Sequence, residues 1–557
     1  MTAENLTALL CSQSPPVFGS PLLAYQRPLR LRDTCAAAMD AATASRLRAF
    51  ESWMREHGVV CSDALRLDAS EAGGVYVRAL AALREGDVVA TIPRRACLTP
   101  RTTGAAAAIK DAQLGGTLAL AVAVMYERAR GAESPWYDYL RLIPDCEPVP
   151  LVWPEDEAER LLAGTELDKT VKQDRGFLCE DWKECIEPLI ASGELGVNPD
   201  DLSLEKYFAA KSLLSSRSFR IDKFHGSGMV PLADLFNHKT DGEHVHFTKS
   251  DASDSDEEED GDDQSNTDSD EEEGSNDQSN VHLVEEEDDD DQSNASADEP
   301  STVENSTANP SGEGYNDEDL EMIIVREANP GDEVYNTYGT MGNAALLHRY
   351  GFTELDNPYD IVNIDLTLVT KWCLSKYSHR YAKARISLWH KLGYSGCTSE
   401  DAEYLEISYD GEPQLDLLIL LYIVFLEPEV YDKLVCEAED LIGDDEQDDE
   451  QDTIDSFAKV VKVTRPAKNG VEKLPDVKKL LHSESIGSAL ASIADIRESL
   501  YGSSTLKDDE EKLRTCSRVS ERNLYHSLVL RVSERKILGR LRKHASSWSK
   551  IKKRKHT

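Results

Sequence analysis

A chain of 557 residues with a formal net charge of −43 is long enough for two or three folded units, and too acidic to favour contact with nucleic-acid phosphates. The charge is local: residues 251–300 hold 24 Asp and Glu and no Lys or Arg, and the rest of the chain sums to −19. No run reaches the roughly 18 apolar residues of a membrane span, and the eleven cysteines lack C-x-x-C spacing, which argues against a zinc cluster or disulfide framework and for a reducing, intracellular setting.

In chain order, residues 1–40 mix Ser, Ala and Arg with few acids and read as a disordered or targeting segment, with Met39 as an alternative start. Leu47, Phe50 and Trp53-Met54 recur at helical spacing from Thr43 onward. Val75 and Val77 follow Gly73-Gly74 as a strand, Arg84–Asp87 makes a turn, and Val88-Val89-Ala90 begins the return strand. Residues 115–130 and 155–190 are helical in pattern, separated by a short helix start at Ser134–Leu140 and a Pro-rich loop to Pro154. Residues 201–219 predict a helix capped by Ser203, with Leu204, Tyr207 and Phe208 on one face and Arg217 projecting inward near its end. A buried arginine needs an anionic partner.

The apolar run Met229–Ala233 leads into Asp234 and then Asn237-His238. Three fourteen-residue units over 253–294 each end in Asp-Gln-Ser-Asn; too polar to bury a core, they place a disordered loop at 249–318. Met322–Val325 reads as a buried strand, Asn329–Asp332 as a turn, and Val334 as the start of another strand running into Tyr335–Gly339. From 365 onward helical patterns dominate, including the apolar run Leu415–Leu426, with a second acidic loop at 440–455, a last amphipathic helix through Leu524–Leu541 and a basic tail at 546–557.

Taken singly, the candidate residues are bland. Asn237-His238 is a common loop pair, and His244-x-His246 is the only nearby metal-like spacing, too little for a metal site. Neither a Ser elbow nor a P-loop is present, and no G-x-G-x-x-G opens a helix after a strand. The ordered set is specific: Glu71-Ala72-Gly73-Gly74, Arg217-Ser218-Phe219, Asp234 to His238, Tyr335 to Gly339, then Tyr350-Gly351-Phe352. In this order the chain resembles the SET-domain methyltransferases, and within them the group of the Rubisco large-subunit and ribosomal-protein lysine methyltransferases. Ser134-Pro135-Trp136, Ile143-Pro144, Trp153 and Gly164-Thr165 resemble that group's insert.

The resemblance implies an α+β fold. It places a SET domain over 41–355 with a helical insert at about 110–215, then an all-helical substrate-binding domain over 360–545. It implies S-adenosylmethionine as cofactor and methylation of lysine on a non-histone, basic protein such as a ribosomal protein, by a monomer without membrane or nucleic-acid partners. Residue by residue, Tyr338 matches the catalytic tyrosine beside the amine, and Tyr350 a second tyrosine of the lysine channel. Glu71, Ala72 and Gly73 match the turn that meets the methionine part of the cofactor; Arg217, Asn237 and His238 match its other contacts. Arg217, Asp234, Tyr338 and Tyr350 fall at substrate-binding positions. In this chain Ala72-Gly73-Gly74 stands where the family often has a bulkier residue between glycines, which leaves the contacts of that turn open.

These residue types suit the chemistry. Methyl transfer from a sulfonium is an in-line displacement that depends on alignment, and an amine of ordinary pKa near 10.4 must lose its proton before it attacks. An apolar aromatic channel favours the neutral amine by desolvation. The alternatives are histidine methylation, where the group has an asparagine in place of Phe219, and a non-catalytic acidic module that binds basic proteins. The basic tail suggests the nucleus or cytoplasm, the Ser- and Arg-containing front a plastid.

Overall fold

Phe50 and Trp53 lie one turn apart on the inward face of the helix Ala41–His57, as their spacing requires, and stack at 5.8 Å between ring centroids. The computed structural model describes residues 41–69, 74–248, 319–395, 404–441, 450–465 and 477–548. Its strands are β1 (Val60–Cys61), β2 (Leu65–Ala69), β3 (Val75–Ala79), β4 (Val88–Ile92), β5 (Ser218–Asp222), β6 (Gly226–Met229), β7 (Val245–Thr248), β8 (Leu320–Ile324), β9 (Val362–Asp365) and β10 (Tyr404–Ile407). They form one antiparallel sheet in the order β1-β4-β8-β7, two hairpins, β2-β3 and β5-β6, and a two-stranded antiparallel sheet, β9-β10, whose strands are separated in sequence by two helices. Along β8, Leu320, Met322 and Ile324 alternate inward, the period-two pattern of a sheet with one buried face.

A first core gathers Phe50, Ile92, Leu98, Leu120, Met229 and Phe236 around this sheet. The helix Gly116–Arg130 is apolar almost all round and correspondingly buried from Ala119 to Met125, packed against the helix Leu204–Arg217. Ser203 caps the latter by accepting from the Lys206 backbone N–H at 3.3 Å. A second core, with Trp389, Leu420, Ile493 and Leu541, belongs to helices beyond residue 365 and includes the helix Leu415–Val424, buried from Leu417 onward. The two are tied by the last helix, Arg522–Trp548. Its Leu530 joins a small cluster with Trp153, Leu161, Leu162 and Leu347 from the first part of the chain.

Several predicted elements fall differently. β3 pairs with β2, in the register Leu67↔Val77, and not with β4; β4 pairs instead with β1 and β8. The Leu65–Ala69 strand was hidden by its Arg66 and Asp68, which face outward. Val334–Tyr338 is not a regular strand. Asn336 makes single parallel bridges to His238 and Val245, because this segment crosses the sheet edge instead of extending it. The acidic stretch after residue 440 contains the helix Glu450–Thr464, whose Phe457, Val460 and Val461 are buried. The antiparallel β9-β10 pair appears within an otherwise helical region. Residues 1–40, Glu71, Ala72 and Gly73, the 249–318 insert and the tail from 549 lie outside the described residues.

Candidate active site

The turn 230–238 is held from both sides. Leu232, buried and non-glycine, adopts φ 83°, a costly conformation maintained by the core around it. That twist brings Asp234, Phe236 and His238 into one buried concavity while Asn237 stays exposed. The 335–338 segment then docks alongside: the Asn336 N–H donates to the Asn237 carbonyl at 2.8 Å, and the Tyr338 N–H donates to His238 Nδ1 at 3.0 Å. Because Nδ1 accepts, the His238 proton sits on Nε2, which reaches Thr240 Oγ1 at 3.2 Å. Burial pushes the His238 pKa below its ordinary value and keeps the ring neutral. Both ring nitrogens are thus engaged in bracing the loop.

Tyr338 is the centre of the site. Its hydroxyl donates to the Phe236 carbonyl at 3.1 Å, next to Asn237 in sequence. Its ring stacks on Tyr350 at 4.4 Å and on His238 at 5.0 Å, with Phe352 6.3 Å from Tyr350 and 6.2 Å from His238. Burial raises the pKa of Tyr338 and, likewise, that of Tyr350, so both phenols stay protonated. Gly351, at φ 73°, ends the helix Asn343–Tyr350 and turns Phe352 back toward the cluster. A Cβ there would come within 2.8 Å of the Pro148 carbonyl.

Behind the aromatic wall lies a buried charge group. Arg217 Nε donates to Glu147 Oε1 at 2.6 Å, and its Nη1 to the Asp234 carbonyl at 2.8 Å and, more distantly, Oδ2 at 3.5 Å. The Tyr139 hydroxyl also donates to Asp234 Oδ2, at 3.0 Å. Asp234 Oδ1 is buried with no hydrogen-bond partner among the described residues. Burial lifts the Asp234 carboxyl to about 6, against the pull of Arg217 and Tyr139. Sequence reasoning placed Arg217 facing inward but did not find Glu147 or Tyr139; their only signal was a Tyr and a Glu framing the Ile143-Pro144 loop.

The structure therefore brings Arg217, Asp234, Asn237, His238, Tyr338 and Tyr350 together, 133 residues of sequence apart at the extremes. Glu333, also unforeseen, joins them: Asn237 Nδ2 donates to its Oε1 at 2.7 Å. A cavity of about 570 Å³ adjoins the loop after Tyr338, lined by Gly339 and Met341 on one side and by Tyr409 and Leu530 of the C-terminal part on the other. No group of His, Cys, Asp and Glu suited to a metal occurs among the described residues.

Two hairpins beside a four-stranded sheet, a 230–238 turn braced by the 335–338 crossing, and a helical insert followed by a largely helical C-terminal part make up the frame that positions these residues. The chain aligns over 90% of its length with the solved SET domain of LSMT bound to lysine and AdoHcy, at a TM-score of 0.58 and 18% identity, covering 91% of that chain. A second LSMT structure, bound to AdoMet, matches at 0.56. No family model matches the sequence. Among curated proteins it is 27% identical over 390 residues to ribosomal lysine N-methyltransferase 3 of Saccharomyces cerevisiae, covering 63% of this chain and 69% of that one. It is 26% identical over 305 residues to the N-lysine methyltransferase setd6 of Salmo salar, and 23% over 234 residues to the chloroplastic Rubisco large-subunit N-methyltransferase of Pisum sativum. The chain spans about half the length of these last two, 53% and 47%. The resemblance read from the motifs holds: the chain has the fold of the LSMT SET domain and is similar in sequence to these lysine methyltransferases.

Proposed function

We propose that the protein is an S-adenosylmethionine-dependent protein-lysine N-methyltransferase acting on a basic, non-histone protein, with ribosomal proteins the first class to test. The observation that carries this reading is the Tyr338 hydroxyl: protonated, pinned to the Phe236 carbonyl, and walled by Tyr350 and His238. The residues present suit the donor. Asn237 Oδ1 accepts from no described residue, which leaves it to receive a donor from the ligand.

When bound, S-adenosylmethionine supplies a methyl group on a sulfonium. The chain does the rest by placement. Tyr338 and Tyr350 form a dry slot in which an amine is favoured over an ammonium. The Tyr338 oxygen, its own proton given to Phe236, is left as an acceptor that orients an N–H of the amine. Asp234, above pH about 6, adds negative charge that draws a lysine side chain inward. The ring cluster excludes water, so the nucleophile meets its target without a competing hydroxide.

The test is the full chain with methyl-labelled donor and an extract of basic proteins, followed by localisation of the label. Label on lysine supports the reading; label on histidine, or none from folded protein that binds the donor, overturns it. Residues 41–355 and 360–545 are the proposed domain limits, with the 570 Å³ cavity at their junction a place for substrate segments beside the target lysine. A basic substrate also fits a nuclear or cytoplasmic site of action. Among the described residues, no helix is long and apolar enough to cross a membrane.

A further inference from the structure

The Asn237 carboxamide poses a question of direction. An amide side chain offers two donors at one end and an acceptor at the other, and a loop residue can turn either way. Here Nδ2 lies 2.7 Å from Glu333 Oε1. A carboxylate has only acceptors, so the nitrogen must face it and the oxygen must face away. Glu333 is itself fixed. Its other oxygen accepts from the Tyr335 hydroxyl at 3.0 Å, and its backbone bridges Arg78 on β3, with the next N–H, of Val334, donating to the Val77 carbonyl at 2.9 Å. Asn237 is exposed, and its Oδ1 accepts from no described residue.

We propose that Glu333 is a positioning residue that locks the Asn237 carboxamide with its oxygen toward the donor site, making Asn237 an obligate acceptor for an ammonium or exocyclic amine. The inference rests on the donor-binding reading above. A carboxamide rotated by half a turn would present N–H groups to a ligand that also brings N–H groups there. Glu333 removes that alternative before the ligand arrives, so no binding energy is spent on reorientation.

The experiment uses the full chain and S-adenosylhomocysteine as the calorimetric probe. Glu333→Ala weakens binding about tenfold, the scale of one hydrogen bond to a charged group. Glu333→Gln, whose oxygen can still receive Nδ2 while its nitrogen donates to Tyr335, stays within about threefold. In an Asn237→Ala background, Glu333→Ala adds less than about twofold, because the two residues act as one unit. The lysine-peptide KM is unmoved in both Glu333 variants. Without any ligand, selective ¹⁵N-asparagine labelling follows the Asn237 side-chain NH₂ pair, which moves upfield in Glu333→Ala when its carboxylate partner is lost. An unmoved NH₂ pair, wild-type affinity in Glu333→Ala, or an equal loss in the Asn237→Ala background overturns the proposal. Failure of the wild-type chain to bind the probe, with the NH₂ shift intact, overturns the donor-binding reading alone.

Discussion

Tyr338 keeps its place by three contacts of different kind: a hydroxyl bond to Phe236, a backbone bond to His238, and stacking on Tyr350. Tyr338→Phe removes only the first. It is expected to lower the melting temperature slightly, because the buried Phe236 carbonyl loses its partner, and to lower kcat about a hundredfold, the scale seen when one polar group aimed at a reacting centre is removed. Steady-state kinetics on a lysine peptide, beside a thermal melt, checks both parts. Asp234 provides a pH signature. Its carboxyl titrates near 6, so the peptide KM should fall as pH rises through 6, when the site gains a negative charge. Asp234→Asn should flatten that step while leaving the donor affinity in place; a step that persists in the variant refutes the assignment. In stability terms the sign is opposite. The folded state keeps the Asp234 proton above the ordinary carboxylate range, so this residue's share of stability is lost as pH rises from about 4 through 6.

At the scale of elements, the last helix reaches back to the aromatic wall. The Arg522 guanidinium donates to the Gly351 carbonyl at 2.9 Å, and His526 Nδ1 accepts from the Thr353 N–H at 3.0 Å and lies 2.8 Å from its hydroxyl. These residues flank Phe352, so a helix of the C-terminal part holds a wall of the site. His526 is buried, and burial together with Arg522 drives its pKa down to about 3. The unfolded chain binds that proton near pH 6.5, so the contribution of His526 is complete above 6.5 and lost as pH falls toward 3. Lowering the pH from 7 to 5 should cost about 2 kcal/mol through this residue. Urea melts at the two pH values, compared with His526→Gln, would show the difference shrinking in the variant; equal slopes in both proteins would exclude the assignment.

At the scale of the whole molecule, the two cores are joined by buried charge as well as by the Leu530 cluster. Arg497 donates to the Gly164 carbonyl at 2.6 Å and to Glu166 Oε1 at 3.0 Å, while Tyr501 donates to Glu534 at 2.6 Å. Glu166 and Glu534 share this one arginine, and burial raises both carboxyl pKa values. Removing one partner would leave another buried and uncompensated, which sets the relative placement of insert and C-terminal part firmly. Residues 249–318 lie in sequence between the paired strands β7 and β8. Deleting 250–312 should leave turnover on a short peptide intact and slow the capture of a whole basic protein at low salt, an effect that vanishes as salt rises. Stopped-flow capture rates that match at every salt concentration would reject this role.

The sequence by itself determined the local elements and the order of the motifs. Period-3.6 patterns placed most of the helices, Ser203 marked a helix start, and Tyr338 and Asn237-His238 were singled out by the order of the motifs and the family it resembles, not by their local pattern. The local signals survive because they depend on near neighbours in the chain. Only the tertiary structure decided which strands pair, that Val334–Tyr338 crosses an edge instead of running as a strand, and that Arg217 is met by Glu147 and Asp234. It also decided the two ring-nitrogen roles of His238 and the capture of Asn237 by Glu333. Those outcomes are set by partners distant in sequence, and a charge or an amide carries no mark of its partner until burial brings the two together and makes leaving either one unpaired costly.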